Sequence, residues 1–338
     1  MFHFFRDTQY ALTPLTALFM KKVFRYVLGG LAAIVLLIAA AALFIQWRGI
    51  PTYDKPTLQQ TVELTPNRVV RGKKLASMLC AGCHFNAETQ RLSGKHMKDA
   101  PAEFGEIHAP NITQDARHGI AAYTDGELIY LLRTGVKRNG QYAPPYMAKL
   151  PHMSDEDLQS IVAFLRSDDP WVQPTPIAST PSQPSFLTKF LAHVAFKPLP
   201  MPAHVVPQPD TTDLVAFGRY LTTNLDCWTC HSGDFTKMDM LNPEQSFHYL
   251  AGGNKMPDND GRIMNTLNLT PDKETGIGNW TEEQFIKAVK YGLKDGEPAL
   301  RYPMVPYLEL TDYEAKAIFA YLKTVPPVKN RIQRTAFD

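Results

Sequence analysis

Two pentapeptides of the chain share the pattern Cys-x-x-Cys-His, which is the pattern that attaches haem c to a polypeptide. They are Cys80-Ala81-Gly82-Cys83-His84 and Cys227-Trp228-Thr229-Cys230-His231, and they contain every cysteine of the chain. Two thiols about one helical turn apart can reach the two vinyl groups of a haem, while the adjacent imidazole binds the iron. We therefore predict two covalently bound haem c groups. The attaching residues are Cys80, Cys83, Cys227 and Cys230, and the proximal iron ligands are His84 and His231.

A Cys-x-x-Cys pair by itself also occurs in zinc knuckles and in redox-active dithiols. In this chain a histidine follows the second cysteine directly in both motifs, and no further Cys or His pair stands nearby at zinc-finger spacing. Haem attachment is therefore favoured over both alternatives. Disulfide bonds are also disfavoured, because two attached haems would leave no thiol to pair.

The sixth ligand of a haem iron decides between electron transfer and catalysis. A methionine at this position raises the reduction potential of the haem and suits electron transfer. A vacant position lets a substrate bind the iron. From Asn111 and Asn268 onwards the two halves of the chain align without a gap. Met147 and Met304 match in this alignment, each in a proline-containing loop before the last helix of its half, and we predict them as distal iron ligands. Met153 aligns with a leucine and is predicted to be a core residue.

Each half of the chain is predicted to contain three helices and no strand of any length, which makes the fold class all-α. The first helix carries a glycine, Gly72 or Gly218, that would let another helix approach closely. The second helix begins with a capping box, 124–127 or 281–284, and ends at a glycine. The last helix has apolar residues at i, i+3, i+4 and i+7 spacing.

Asn111-Ile112-Thr113 and Asn268-Leu269-Thr270 occupy equivalent places in the two halves. Each asparagine could donate a hydrogen bond to a haem propionate, or it could hold its own loop in place. The sequence leaves these two roles open.

A proline-rich segment joins the two halves and is predicted to be an extended linker. Its prolines are Pro170, Pro174, Pro176, Pro181, Pro184, Pro198, Pro200, Pro202, Pro207 and Pro209. Within it, an apolar stripe predicts a short amphipathic helix over 185–196. The stripe consists of Phe186, Leu187, Phe190, Leu191 and Val194. We expect this stripe to pack on the rest of the chain, with a membrane or partner contact as the alternative.

Near the N-terminus an uncharged apolar run, Tyr26 to Ile45, is long enough to cross the hydrocarbon core of a membrane. It is either a transmembrane helix or a long signal peptide, and we favour an uncleaved signal anchor because Trp47 suits a membrane interface. Basic residues before the run predict a cytoplasmic N-terminus, with the rest of the chain outside. These are Lys21, Lys22 and Arg25. We hypothesise that translation starts at Met20.

The composition is that of a folded protein without a broad charged surface. The chain has 338 residues, of which 44% are hydrophobic, enough for two domains with buried cores. Its formal net charge is +2, its pI is near 8.2, and its basic residues are scattered among acidic ones. Nucleic acid is therefore not an expected partner.

Several stretches beyond the two haem motifs resemble the membrane-bound multihaem cytochrome c subunits of bacterial alcohol, gluconate and related dehydrogenases. In the second half these stretches are 268–272, 275–281, 304–307 and 311–314. The first half departs from the pattern at His118 and Tyr123, where Thr and Trp are expected. The resemblance covers residues 67–328. Members of this family typically carry three haems and pass electrons from a catalytic subunit to ubiquinone or an oxidase, whereas this chain has two haem motifs.

Repeat and resemblance together predict two tandem class I cytochrome c-like haem domains after an N-terminal transmembrane helix. The expected division is a cytoplasmic segment 1–25, a signal anchor 26–46, a tether 47–66, a first haem domain 67–168, a linker 169–212, a second haem domain 213–328 and a tail 329–338. The residues expected to bind haem are Cys80, Cys83, His84, Met147, Cys227, Cys230, His231 and Met304.

We expect an electron-transfer protein, with no catalytic residues, in the bacterial inner membrane and with its haem domains on the periplasmic side. The expected partners are a dehydrogenase subunit, an oxidase, a soluble cytochrome or the quinone pool. The alternative is an enzyme resembling dihaem cytochrome c peroxidases, which requires one haem with a vacant or displaceable ligand.

Overall fold

The computed structural model describes residues 14–56, 58–143, 146–258, 260–296 and 298–333. The chain divides into two compact units, Met1–Gly49 and Ile50–Asp338. In the first unit, helix α1 (Pro14–Arg48) begins well before the predicted apolar run. From Leu18 to Arg48 it is long and apolar enough to cross a membrane, with a mean hydropathy of 2.8 over an 18-residue stretch. A signal sequence at this place would have the same properties. The part of the predicted cytoplasmic segment before residue 14 lies outside the described residues.

The second unit contains the helices that carry both motifs. They are α2 (Pro66–Leu79), α3 (Ala81–His84), α4 (Asp125–Thr134), α5 (Asp155–Leu165), α6 (Phe186–Val194), α7 (Leu214–Asn224), α8 (Cys227–His231), α9 (Glu282–Tyr291) and α10 (Asp312–Leu322). The series α2, α3, α4, α5 and the series α7, α8, α9, α10 have the same order and similar lengths. The prediction of a mostly helical chain is confirmed.

Short strands are the part of the fold that the all-α prediction missed. They are β1 (Lys95–His96), β2 (Gly105–Glu106), β3 (His108–Ala109), β4 (Gln183–Pro184), β5 (Lys255–Pro257) and β6 (Ile263–Asn265). They form the antiparallel pairs β1–β3, β2–β4 and β5–β6. Strands of two or three residues are too short to show a period-two pattern, which is why the sequence did not reveal them.

The first and last helices of each half pack closely at a glycine. An added Cβ on Gly72 would lie 1.8 Å from the backbone oxygen of Ser160 in α5. An added Cβ on Gly218 would lie 1.8 Å from the backbone oxygen of Ala317 in α10. The predicted close approach is confirmed in both halves, and the two helix pairs form the framework from which the motifs project.

The second helix of each half is capped as the sequence predicts. Thr124 accepts a hydrogen bond from the backbone of Glu127, whose side chain accepts one from the backbone of Thr124. Thr281 and Gln284 form the same capping box at the start of α9. Each helix ends at a glycine in the left-handed region, where a residue without a Cβ is least strained.

Two hydrophobic clusters form the interior of the second unit, one in each half. Fully buried residues of the first include Leu158 and Ile161, and those of the second include Leu322 and Ile318. Met153 belongs to the first cluster and is fully buried, so its prediction as a core residue is confirmed. Partly buried side chains at the end of α2 pack against both clusters. The two halves therefore lie in direct contact.

The segments predicted to be a tether and a linker both pack on the first half. Tyr53 donates a backbone hydrogen bond to Gly140 (2.8 Å), and Val62 donates one to the carboxylate of Asp125 (2.8 Å). In the linker, Ser185 donates from its backbone to Phe104 (3.0 Å). Proline removes backbone donors but leaves such contacts available to the residues between prolines.

Helix α6 confirms the predicted amphipathic helix, but its apolar stripe is not packed as expected. The helix lies against the first half through Thr188 and Ala192, which are both buried. Thr188 donates its hydroxyl hydrogen bond to the backbone oxygen of Phe104 (2.9 Å). Phe186 and Phe190 are 46% and 39% exposed. The covered face of α6 is therefore the one with Thr188 and Ala192, while Leu191 is the one half-buried member of the apolar stripe.

Candidate haem-attachment sites

Both Cys-x-x-Cys-His motifs form short helices that follow the first helix of their half. Cys80 lies between α2 and α3 and caps both, while Cys227 is the first residue of α8, which two residues separate from α7. All four thiols are free, and the side chains are half-buried. Desolvation raises the pKa of Cys80, Cys227 and Cys230 to about 12. Thiols with such a pKa are protonated at neutral pH, unlike the thiolates of redox-active dithiols.

The two motif histidines are held in the same way. Nδ1 of His84 lies 2.8 Å from the backbone oxygen of Pro110, and Nδ1 of His231 lies 2.8 Å from that of Leu267. Burial lowers the pKa of both imidazoles, so each is neutral and donates from Nδ1. This tautomer leaves the lone pair of Nε2 available to a metal, as in proteins where a carbonyl orients a ligating histidine.

The loop after each motif is held by a backbone hydrogen bond to the histidine of that motif. Gly94 donates to the backbone oxygen of His84 (2.8 Å), and Gly252 donates to that of His231 (2.6 Å). The chain between His231 and Gly252 is longer than that between His84 and Gly94. The additional residues of the second half therefore lie before Gly252, where they include two short 3₁₀ helices.

The loops that carry the two predicted methionine ligands are held by matching backbone hydrogen bonds in the two halves. Around Met147, Ala143 donates to the backbone oxygen of Gly135 (2.6 Å) and Leu150 to that of Leu132 (2.7 Å). The corresponding bonds around Met304 join Leu300 to Gly292 (2.6 Å) and Tyr307 to Val289 (2.9 Å). Both methionines are half-buried. Their role as iron ligands stays a prediction.

Asn111 and Asn268 use their side chains to hold their own loops. The side-chain oxygen of Asn111 accepts from the backbone (2.9 Å) and hydroxyl (2.7 Å) of Thr113. Asn268 makes the same two bonds to Thr270, also at 2.9 and 2.7 Å. The amide group of Asn268 donates to the backbone oxygen of Val328 (2.8 Å). Of the two roles left open by the sequence, the structure shows loop stabilisation.

The residues of each half fit a covalently attached haem. Each half supplies two protonated thiols, a neutral imidazole oriented by a backbone carbonyl, and a methionine in an anchored loop. In the first half, the hydroxyl oxygen of Tyr146 is buried without a hydrogen-bond partner in the structure. Such a donor suits an acceptor on a bound group, for which a haem propionate is a candidate.

A charged network joins the two halves near the motifs. Arg71 donates to both carboxylate oxygens of Asp157 at 2.9 Å, and it lies 3.3 Å from the carboxylate of Glu314 in the second half. Tyr220 of the second half donates to Asp157 (2.7 Å). Tyr302 donates to the carboxylate of Asp99 across the same boundary. These pairings hold the two halves together and were not foreseen from the sequence, because the partners are far apart in the chain.

The sequence reasoning also missed two charged residues at this boundary, Lys149 and Asp226. Lys149 is buried, and burial lowers its pKa to about 7. Asp226 is half-buried, and desolvation raises its pKa to about 6. Both line one small cavity between the halves. A signal was present in the alignment of the motifs, where Asp226 takes the place of Leu79.

Residues 69–168 match the family model described as cytochrome c, so the first half contains a cytochrome c domain. The chain as a whole is similar to cytochrome subunits of bacterial dehydrogenases. It is 30% identical to the fructose dehydrogenase cytochrome subunit of Gluconobacter japonicus, over 76% of this chain and 52% of the relative. It is 28% identical to the gluconate 2-dehydrogenase cytochrome c subunit of Pantoea cypripedii, over 76% of this chain and 59% of the relative.

The chain spans little more than half the length of these dehydrogenase subunits. It covers more of a protein described as a dihaem c-type cytochrome from Cereibacter sphaeroides, with 28% identity over 74% of this chain and 83% of that protein. These similarities confirm the resemblance to the cytochrome c subunits of bacterial dehydrogenases.

Proposed function

We propose that the chain is a membrane-anchored dihaem cytochrome c that transfers single electrons from a periplasmic donor to a respiratory acceptor. The repeated attachment site supports this proposal most directly. Both halves place a Cys-x-x-Cys-His helix, a carbonyl-bound histidine and an anchored methionine loop in the same arrangement. A dehydrogenase is the proposed donor, because similar proteins are described as cytochrome subunits of dehydrogenases.

In this proposal each half holds one haem c, which supplies a one-electron redox couple. The cysteines bind the porphyrin covalently and keep it in place through repeated turnover. The carbonyls of Pro110 and Leu267 hold His84 and His231 in the tautomer that binds iron. Met147 and Met304 would bind the iron as further ligands and exclude other ligands from it. No proton transfer or bond cleavage is required of the protein.

A peroxidase is not supported by the comparisons. The three similar proteins named above are described as cytochromes or cytochrome subunits of dehydrogenases, and methionine is available to both sites. A low-spin spectrum with the weak band of methionine-to-iron ligation is expected for both ferric haems. A high-spin ferric signal together with peroxide turnover would instead favour the peroxidase alternative.

Replacing Met304 with alanine is expected to lower the midpoint potential of one haem and leave both haems covalently attached. Met147→Ala should have the same effect on the other haem. Redox titration followed in the visible spectrum measures both potentials. Met256→Leu is a suitable control because Met256 is half-buried in β5 and has no counterpart in the first half. Two unchanged redox waves after either alanine substitution would remove that ligand assignment.

Helix α1 is proposed to remain in the mature protein as a transmembrane anchor. The exposed apolar surface between Leu18 and Arg48 would then be covered by lipid. Haem-stained protein should stay in the membrane pellet after an alkaline carbonate wash, and detergent should release it. A mature chain that begins after Ile45 and is recovered in the soluble fraction would show that the helix is a cleaved signal sequence.

A further inference from the structure

A half-buried carboxylate, Asp226, lies directly beside the second attachment site. Asp226 immediately precedes Cys227, and its negative charge contributes to raising the pKa of both Cys227 and Cys230. The hydroxyl of Thr229, inside the motif, donates a hydrogen bond to this carboxylate. The carboxylate is thus part of the immediate surroundings of both attaching cysteines.

The first site has no charge at this position, and its nearby carboxylate, Asp99, acts on Cys83 together with the opposing charge of Lys95. Leu79 precedes Cys80, and it packs against both hydrophobic clusters. The loop of Met147 instead carries a buried lysine, Lys149, which lines the same small cavity as Asp226. The boundary therefore places a carboxylate beside the second motif and a lysine in the loop of Met147.

Charges near a haem shift its reduction potential because reduction adds one negative charge to the group. A nearby anion disfavours the reduced form and lowers the potential, while a nearby cation has the opposite effect. Water screens such effects strongly at exposed positions and weakly in the interior. A partly desolvated carboxylate can therefore change a potential more than the many surface charges of the chain.

We propose that Asp226 holds the potential of the haem on the second half below that of the haem on the first half. The inference rests on the proposed two-haem function and adds the direction of electron transfer between the haems. The second half would be the side at which an electron enters, and the first half would be the side from which it leaves. Asp226 acts through its field and is a residue that sets the potential, with no role in binding the iron.

The test is Asp226→Asn in the full-length, haem-loaded protein. Asp226 has a φ of 62°, in the left-handed region that asparagine tolerates better than most residues. Asparagine also keeps an oxygen that can accept the hydrogen bond from Thr229. The substitution thus removes the charge with little change in shape. Asp234→Asn is the matched control, because Asp234 accepts a hydrogen bond from Thr236 in the same way but lies at the surface near the same motif.

In Asp226→Asn, the lower of the two midpoint potentials should rise while the other changes little. A tenfold change in the equilibrium constant for reducing that haem corresponds to about 59 mV. The wave that moves should be the one that also moves in Met304→Ala, which assigns it to the second half. Asp234→Asn should leave both waves in place. Unchanged potentials in Asp226→Asn, or a lower potential assigned to the first half, would overturn the proposal.

The number of covalently attached haems separates this inference from the proposed function. Two haems per chain with the wrong order of potentials would reject the role of Asp226 and leave the dihaem cytochrome intact. Fewer than two haems in the unmodified protein would reject the proposed function itself. Haem content is measured by the pyridine haemochrome spectrum and by the mass of the intact chain.

Discussion

Replacing Gly218 with alanine is expected to lower the free energy of unfolding by about 2 kcal/mol, the typical cost of overpacking a close contact. The new Cβ would lie 1.8 Å from the backbone oxygen of Ala317 and 2.9 Å from the Cβ of Tyr321. A backbone oxygen inside α10 cannot rotate away as a side chain can, so α7 and α10 must separate. The gain in helix propensity from glycine to alanine, about 1 kcal/mol, opposes this loss only in part.

Thermal unfolding of the haem-loaded protein, followed by helical circular dichroism, measures this effect. Val215→Ile is the control, because it adds a methylene group to the same helix at an exposed position. Gly72→Ala should destabilise the first half in the same way, since its Cβ would meet the backbone oxygen of Ser160 at 1.8 Å. An unchanged unfolding temperature in both glycine variants would show that the helix pairs are less tightly packed than described.

Replacing Cys80 and Cys83 together with alanine is expected to halve the amount of haem covalently attached to each chain. The second motif lies on its own helix in the other hydrophobic cluster, so its attachment does not depend on the first pair of thiols. The corresponding double substitution of Cys227 and Cys230 should also remove one haem. Haem staining of denaturing gels and the mass of the intact chain give the number of haems.

Ala81→Ser serves as the control for this experiment, because it changes the motif without removing a thiol or the histidine. It should keep both haems. Two haems in the Cys80/Cys83 double variant would contradict the assignment of the first motif. Recovery of an unmodified chain that contains zinc and lacks haem would favour the zinc-knuckle alternative instead.

Local signals allowed much of the fold to be predicted. Thr124 and Glu127 lie three residues apart, as do Thr281 and Gln284, and a capping box needs only these neighbours. Close helix packing at Gly72 and Gly218 could be predicted because the two glycines occupy equivalent positions in the repeated halves. Strands of two or three residues carry no such pattern, and the exposure of Phe186 depends on which face of α6 finds a surface to pack on.

By itself, the sequence determined the side chains and spacing of the two candidate attachment sites, because the thiols and imidazole of each motif lie within five consecutive residues. Only the tertiary structure decided what surrounds these sites. The carbonyls that orient His84 and His231 come from residues well beyond each motif. Asp226 and Lys149 come to line one cavity because the halves pack together. Desolvation and the field of a charge depend on all atoms nearby, and these are set by the packing of the whole unit.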